Sequence, residues 1–221
     1  MSLFVTGTDT GVGKTHTVTQ LLRLLSLRGE RCAGMKPICC GDRRDAELLL
    51  AAGADGLTIE EINPIWLKTP AAPLTAAQIE SFEFKVEVVL NAFNALKGRV
   101  EKVFVEGVGG WLVPIAADYY VSDLAAALRL PVLLVAQNKL GCLNHTLLTL
   151  ESIRLRGLTC LGVVLTDPDG HSDIAMATNR DVLRQVCKVP VLAGLDEKEG
   201  FLTPEWTAFL DATQCHLSSS E

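Results

Sequence analysis

The sequence predicts an α/β fold, a doubly wound parallel sheet with helices on both faces. Three observations predict it. Short apolar runs alternate along the chain with segments of helical periodicity, and strands separated by helices need crossovers that make neighbours parallel. The run Pro131–Ala136 is almost continuously apolar, as a strand covered on both faces must be. The motifs that can carry chemistry fall at or just after strand ends, where open α/β sheets bind ligands.

Leu3–Thr6 is the first expected strand. Thr15–Leu27 places Val18, Leu21, Leu22 and Leu25 on one helical face, and Gly29 stands where a helix stop belongs. Cys32–Pro37 reads as the second strand and Asp45–Ala52 as a helix. Ile62–Pro73 holds three prolines and reads as a loop. Phe84–Leu96 is an expected helix and Val100–Val105 a strand leading into Gly107-Val108-Gly109-Gly110. Ser122 or Asp123 is expected to cap a short helix ending at Leu128. After the Pro131–Ala136 strand come the helix Asn144–Arg156, the strand Cys160–Leu165 and the helix Ile174–Val186. A last strand, Val189–Ala193, and a short helix, Thr203–Ala212, complete the pattern, with a frayed tail expected after Cys215.

Composition narrows the function classes. The 221 residues suffice for a full core, with 48% hydrophobic and 21% charged residues. A net charge of −6 argues against a nucleic-acid partner, which needs a broadly basic surface. No apolar run reaches about 18 residues, so no membrane span or membrane partner is expected. The N-terminus has no signal-peptide pattern, and the seven cysteines are odd in number without a Cys-x-x-Cys pair. Both features fit reduced thiols and a cytoplasmic location.

The strongest motif is Gly7-Thr8-Asp9-Thr10-Gly11-Val12-Gly13-Lys14-Thr15, set between a strand and a helix. Small residues let backbone N–H groups face an anion, and the helix N-terminus adds its positive dipole end. Lys14 would reach the β- and γ-phosphates and the Thr15 hydroxyl would ligate Mg²⁺. The spacing departs from the strict phosphate-loop pattern, because Thr8 holds the first glycine position and Gly7 precedes it. The fold expectation is therefore P-loop NTPase-like, with Gly11, Val12, Gly13, Lys14, Thr15 and His16 on the nucleotide.

A second shell of charge surrounds this loop. Lys36 ends the second strand, where its ammonium could offset charge on a transferring phosphoryl group. Glu106 ends the third strand and could hold Mg²⁺ as Walker-B acids do. Asp45 is either a third metal-site group or a helix cap, and both roles can coexist. Lys139-Leu140-Gly141-Cys142-Leu143-Asn144-His145 forms a turn and a helix N-terminus, hence either a second anion site or an ordinary helix cap by Asn144.

Phe4–Thr15, Gly34-Met35-Lys36-Pro37, Val105–Trp111 and Lys139–His145 together resemble the dethiobiotin synthetase family, in register from residue 4 to about 167. Pro70-Ala71-Ala72-Pro73-Leu74 is similar to that family's substrate loop. The resemblance implies a single NTP-dependent ligase domain over residues 1–221, with ATP as co-substrate and Mg²⁺ as cofactor. The implied reaction closes a cyclic urea on 7,8-diaminopelargonate with CO2 or bicarbonate, in biotin biosynthesis. It implies catalytic roles for Lys36, Lys14 and Thr10 and a metal set of Thr15, Asp45 and Glu106. Glu106, Gly107, Val108, Gly109, Thr166, Asp167, Asp196 and Glu197 are expected near the nucleotide. Thr10, Lys36, Cys40, Gly109 and the segment Leu140, Gly141, Cys142, Leu143, Asn144 are expected on the substrate. In the family that segment serves the neighbouring subunit, so a homodimer is implied. Two positions depart from the family pattern. Cys40 stands where a hydroxyl residue is common, and Thr166 where an Asn often reads the base.

The alternative is a ParA/MinD-like NTPase switch that binds a protein or membrane partner. Such switches usually carry an extra early lysine in the phosphate loop. This loop has Asp9 and Thr10 instead.

Overall fold

The computed structural model describes residues 2–167, 173–195 and 202–215. Six strands among these residues form one parallel sheet in the order β10-β9-β8-β1-β5-β2. They are β1 (Leu3–Gly7), β2 (Cys32–Met35), β5 (Lys102–Glu106), β8 (Val132–Gln137), β9 (Cys160–Thr166) and β10 (Val191–Ala193). β1 lies inside the sheet, between β5 and β8, and every residue of β1 and β5 is buried. That double-sided burial is why these strands are apolar at successive rather than alternate positions.

Helix α1 (Lys14–Leu27) packs Val18, Leu21, Leu22 and Leu25 into the core, all at most 1% exposed. It ends as the sequence predicts, at Gly29 with φ 79°. The helices α2 (Arg44–Ala52), α5 (Val86–Lys97), α6 (Val121–Leu128), α7 (Cys142–Leu155), α8 (Ile174–Val186) and α9 (Pro204–Cys215) follow the expected alternation.

Three expectations are corrected. First, 62–73 is not an open loop: Ile65–Leu67 (β4) pairs in parallel with Ile38–Cys40 (β3). Short helices α3 (Ile59–Ile62) and α4 (Pro73–Ile79) flank this pair. Thr58 caps α3, accepting from the Glu61 N–H while the Glu61 carboxylate accepts from the Thr58 N–H at 2.7 Å. Pro73 suits the first turn of α4, where a missing N–H costs nothing. Second, neither Ser122 nor Asp123 is the cap of α6. Tyr120 holds that position, and Asp123 reaches back from the third position to accept the Tyr120 N–H at 2.7 Å. Third, Asn144 does not cap α7. Gly141 does, in the left-handed region at φ 92°, one turn earlier than expected. A small hairpin, β6 (Pro114–Ala116) with β7 (Tyr119–Tyr120), joins β5 to α6.

Candidate active site

The carboxyl ends of β1, β5 and β2 are neighbours, so the side chains that follow them converge. A cavity of about 680 Å³ opens there. Thr10, Gly11, Gly13, Lys14, Thr15 and His16 line it from the phosphate loop, and Lys36, Asp45, Glu106, Val108 and Gly109 from beyond. Cys40 and the Pro70–Pro73 loop close the opposite side.

The loop takes its shape from two glycines. Gly13 sits at φ 90°, where an L side chain is strained, and a Cβ on it would press on Thr166 at 3.2 Å. A Cβ on Gly7 would meet the Asp9 carbonyl at 2.9 Å and the Lys14 ammonium at 3.1 Å. Lys14 folds back over the loop and donates to the Asp9 carbonyl at 2.9 Å. Burial, and then the Lys36 charge, push Lys14 down to about 8.

Lys36 lies at the centre of the charged groups. Its ammonium donates to Asp45 Oδ2 at 2.7 Å and to Glu106 Oε1 at 2.5 Å, and its side chain is 4% exposed. Burial alone would lower the pKa of such a lysine, but Glu106 and Asp45 outweigh it and hold it above its ordinary value. Asp45 shows the reciprocal balance: burial raises it, but Lys36 and hydrogen bonds bring it below the usual carboxylate range. The Thr15 hydroxyl donates to the same Glu106 Oε1 at 2.8 Å.

These groups fit a magnesium ion. Mg²⁺ takes oxygen ligands and is usually held by one or two carboxylates, substrate phosphates and water. Thr15, Asp45 and Glu106 offer only oxygens to the cavity, and Glu106 Oε2 is buried with no hydrogen-bond partner. Among the described residues no group of three or more His, Cys, Asp or Glu side chains forms a metal cage.

The remaining expected residues divide. Thr10 sits beside Gly109: a Cβ on that glycine would lie 3.5 Å from the Thr10 hydroxyl. His16 Nε2 is 3.3 Å from the Leu195 carbonyl, which joins the loop to the segment after β10. Val12 is buried and does not line the cavity, and its carbonyl is taken by the Thr166 hydroxyl. Cys40 lines the cavity with a thiol pushed up to about 11 by burial. Gly107 is turned away from the cavity, and a Cβ there would strike Val121 and Phe4. Thr166 is buried and does not line the cavity, and its hydroxyl donates to the Val12 carbonyl at 2.7 Å. Asp167 is exposed at the end of β9, outside the cavity lining. Leu140, Gly141, Cys142, Leu143 and Asn144 do not line this chain's cavity. Leu140 is 83% exposed at that turn and Cys142 is buried beneath it. Asp196 and Glu197 lie outside the described residues. Ile38, Cys39, Asp42 and Val113 also line the cavity, without any motif to announce them.

Fold and site together define a P-loop nucleotide-binding protein. An AAA domain family model matches residues 1–203. The chain is 44% identical over 201 residues to the ATP-dependent dethiobiotin synthetase of Akkermansia muciniphila, covering 91% of this chain and 94% of that protein. It is 39% identical over 194 residues to the enzyme of the same name from Bacillus licheniformis, covering 86% and 83%. The chain belongs to the ATP-dependent dethiobiotin synthetase family.

More distant solved structures share the fold. Cobyrinic acid a,c-diamide synthase from Mycobacterium smegmatis, with a bound ATP analogue and magnesium, aligns with TM-score 0.56 and 17% identity over 100% of this chain and 96% of that one. The septum site-determining protein MinD of Pyrococcus horikoshii, complexed with Mg-ADP, aligns with TM-score 0.54 and 16% identity over 90% and 85%. At these identities the likeness concerns architecture alone.

Proposed function

We propose that this chain is an ATP-dependent ligase that carboxylates 7,8-diaminopelargonate with CO2 and closes the cyclic urea of dethiobiotin, releasing ADP and phosphate in biotin biosynthesis. One observation carries the reading: the buried Lys36 ammonium, held by Glu106 and Asp45, borders the same cavity as Lys14. A nucleotide-binding loop needs only one such lysine. A second suits a reaction in which two anions, a carbamate and a γ-phosphate, must approach each other.

In this reading Gly11, Val12 and Gly13 present backbone to the phosphates and Lys14 neutralises the terminal ones. Lys36 steadies the carbamate as its oxygen attacks the γ-phosphorus and ADP leaves. The second amine then attacks the carbamoyl carbon, loses its proton and expels phosphate. Thr15, Asp45 and Glu106 would hold Mg²⁺, which when bound supplies charge neutralisation to the phosphates. Thr10 and Gly109 face the amine end, while Ala71, Ala72, Val113 and Cys40 offer the aliphatic chain a largely apolar wall. The exposed Leu140–Asn144 turn supports a homodimer in which it reaches the partner's site. No described helix is long and apolar enough to cross a membrane, which is compatible with cytoplasmic work.

The test is phosphate release from ATP by the purified protein. Release should require diamine and bicarbonate together. Turnover that ignores the diamine would favour an NTPase switch instead.

A further inference from the structure

The Lys36 side chain is four carbons long, and its ammonium must meet two carboxylates from different elements. What holds its backbone lies outside the cavity. Asn63, 2% exposed between α3 and β4, donates through Nδ2 to the Lys36 carbonyl at 2.7 Å and to the Ile65 carbonyl at 3.0 Å. Its Oδ1 accepts from Arg43 Nε at 2.8 Å. Both amide hydrogens and the amide oxygen are therefore engaged, and a flipped amide would set oxygen against two carbonyls. The neighbouring Ile62 carbonyl accepts the Lys36 N–H at 2.8 Å, so the Lys36 residue is gripped on both sides.

Arg43 completes the link. It is the residue just before α2, two positions from Asp45. Its guanidinium also donates to the Asn63 carbonyl at 3.1 Å and lies over the Trp66 ring, 4.7 Å from the centroid. Trp66 in turn donates to the Gly41 carbonyl at 2.8 Å and secures the same connection. Neither Asn63 nor Arg43 lines the cavity.

We propose that Asn63 is a positioning residue for the ligase reaction: one buried amide fixes the backbone of Lys36 and, through Arg43, the start of the helix that carries Asp45. This rests on the role given to Lys36 above. Displacing a reacting group by about 1 Å can cost on the order of a hundredfold in rate, so loosening this node should act on kcat and leave nucleotide binding by the loop largely intact.

The experiment is a kinetic double-mutant cycle on diamine-dependent phosphate release. Asn63→Asp keeps the acceptor for Arg43 and removes both donors. It should lower kcat roughly tenfold or more while KM for ATP stays within about threefold. In a Lys36→Gln background the same change should add less than about twofold, because its effect passes through Lys36. An equal loss in both backgrounds, or an unchanged kcat in the single variant, overturns the proposal. Near-normal turnover by Lys36→Gln alone overturns the parent reading of Lys36, a result distinguishable from failure at Asn63. Should Asn63→Asp not melt cooperatively, Arg43→Met carries the test: kcat should fall by about threefold or more at unchanged KM for ATP, and no fall overturns the proposal.

Discussion

Replacing Glu106 by Gln tests the buried charge cluster itself. The Lys36 and Glu106 side chains are 4% and 0% exposed, and their contact is 2.5 Å. Breaking a buried pair by neutralising one partner costs about 3–5 kcal/mol, since the other charge remains in a poor solvent. Asp45 still pairs with Lys36 at 2.7 Å, but its side chain is 47% exposed, so water screens that contact and it offsets only part of the loss. The expected cost is therefore near the lower end, about 3 kcal/mol. For a chain of this size it corresponds to a fall in Tm of roughly 6–12 °C. Calorimetric melts at pH 7 without nucleotide measure it. The double variant Lys36→Met/Glu106→Leu removes both charges and should melt closer to wild type than Glu106→Gln does. A Glu106→Gln Tm within about 2 °C of wild type would refute the reasoning, because these two charges could not then depend on each other in a dry site.

Lys14→Met should abolish nucleotide binding in a fluorescence titration yet raise the Tm of the nucleotide-free protein at pH 7. Lys14 is pushed down to about 8 from 10.5. The stability it contributes is thus present above about 10.5, is lost as pH falls toward 8, and leaves a full penalty below that. Removing the charge should recover up to about 3 kcal/mol at pH 7, offset by about 1 kcal/mol for the lost hydrogen bond to the Asp9 carbonyl, and a lowered Tm would contradict the sign. Gly13→Ala forces a Cβ onto a left-handed residue against Thr166 and should cost about 1–2 kcal/mol in urea unfolding, with weakened ATP binding. Thr58→Ala removes the cap of α3 and should cost about 1 kcal/mol by the same assay.

The main sheet and the phosphate loop were legible because their signals are local. Apolar runs such as Val132–Ala136 declare a doubly covered strand, and Gly13-Lys14-Thr15 declares the turn from strand to helix. The stretch from Ile38 to Ile79 was harder. β3 and β4 are three residues each and exist because Ile38 pairs with Ile65 across 27 positions, a contact with no periodic trace. The prolines that suggested a loop instead stand at element edges, as Pro73 does at the start of α4. The capping box of Thr58 and Glu61 was a local signal that could have revealed α3. At the site, strand ends brought Lys36 and Glu106 to the cavity: Glu106 ends β5 beside β1, and Lys36 follows β2 on the far side of β5. Side-chain direction was not legible: Thr166 also ends a strand, but its hydroxyl turns to the Val12 carbonyl. Ile38, Cys39 and Val113 reach the cavity only through tertiary packing, which spacing cannot reveal.

The most direct test of the account is product analysis. Purified protein given ATP, Mg²⁺, 7,8-diaminopelargonate and ¹³C-bicarbonate should yield labelled dethiobiotin and equimolar phosphate, and Lys36→Gln should slow the formation of both by about a hundredfold or more while leaving a measurable residue. Phosphate released at the same rate without the diamine, or labelled product formed undiminished by Lys36→Gln, would contradict it.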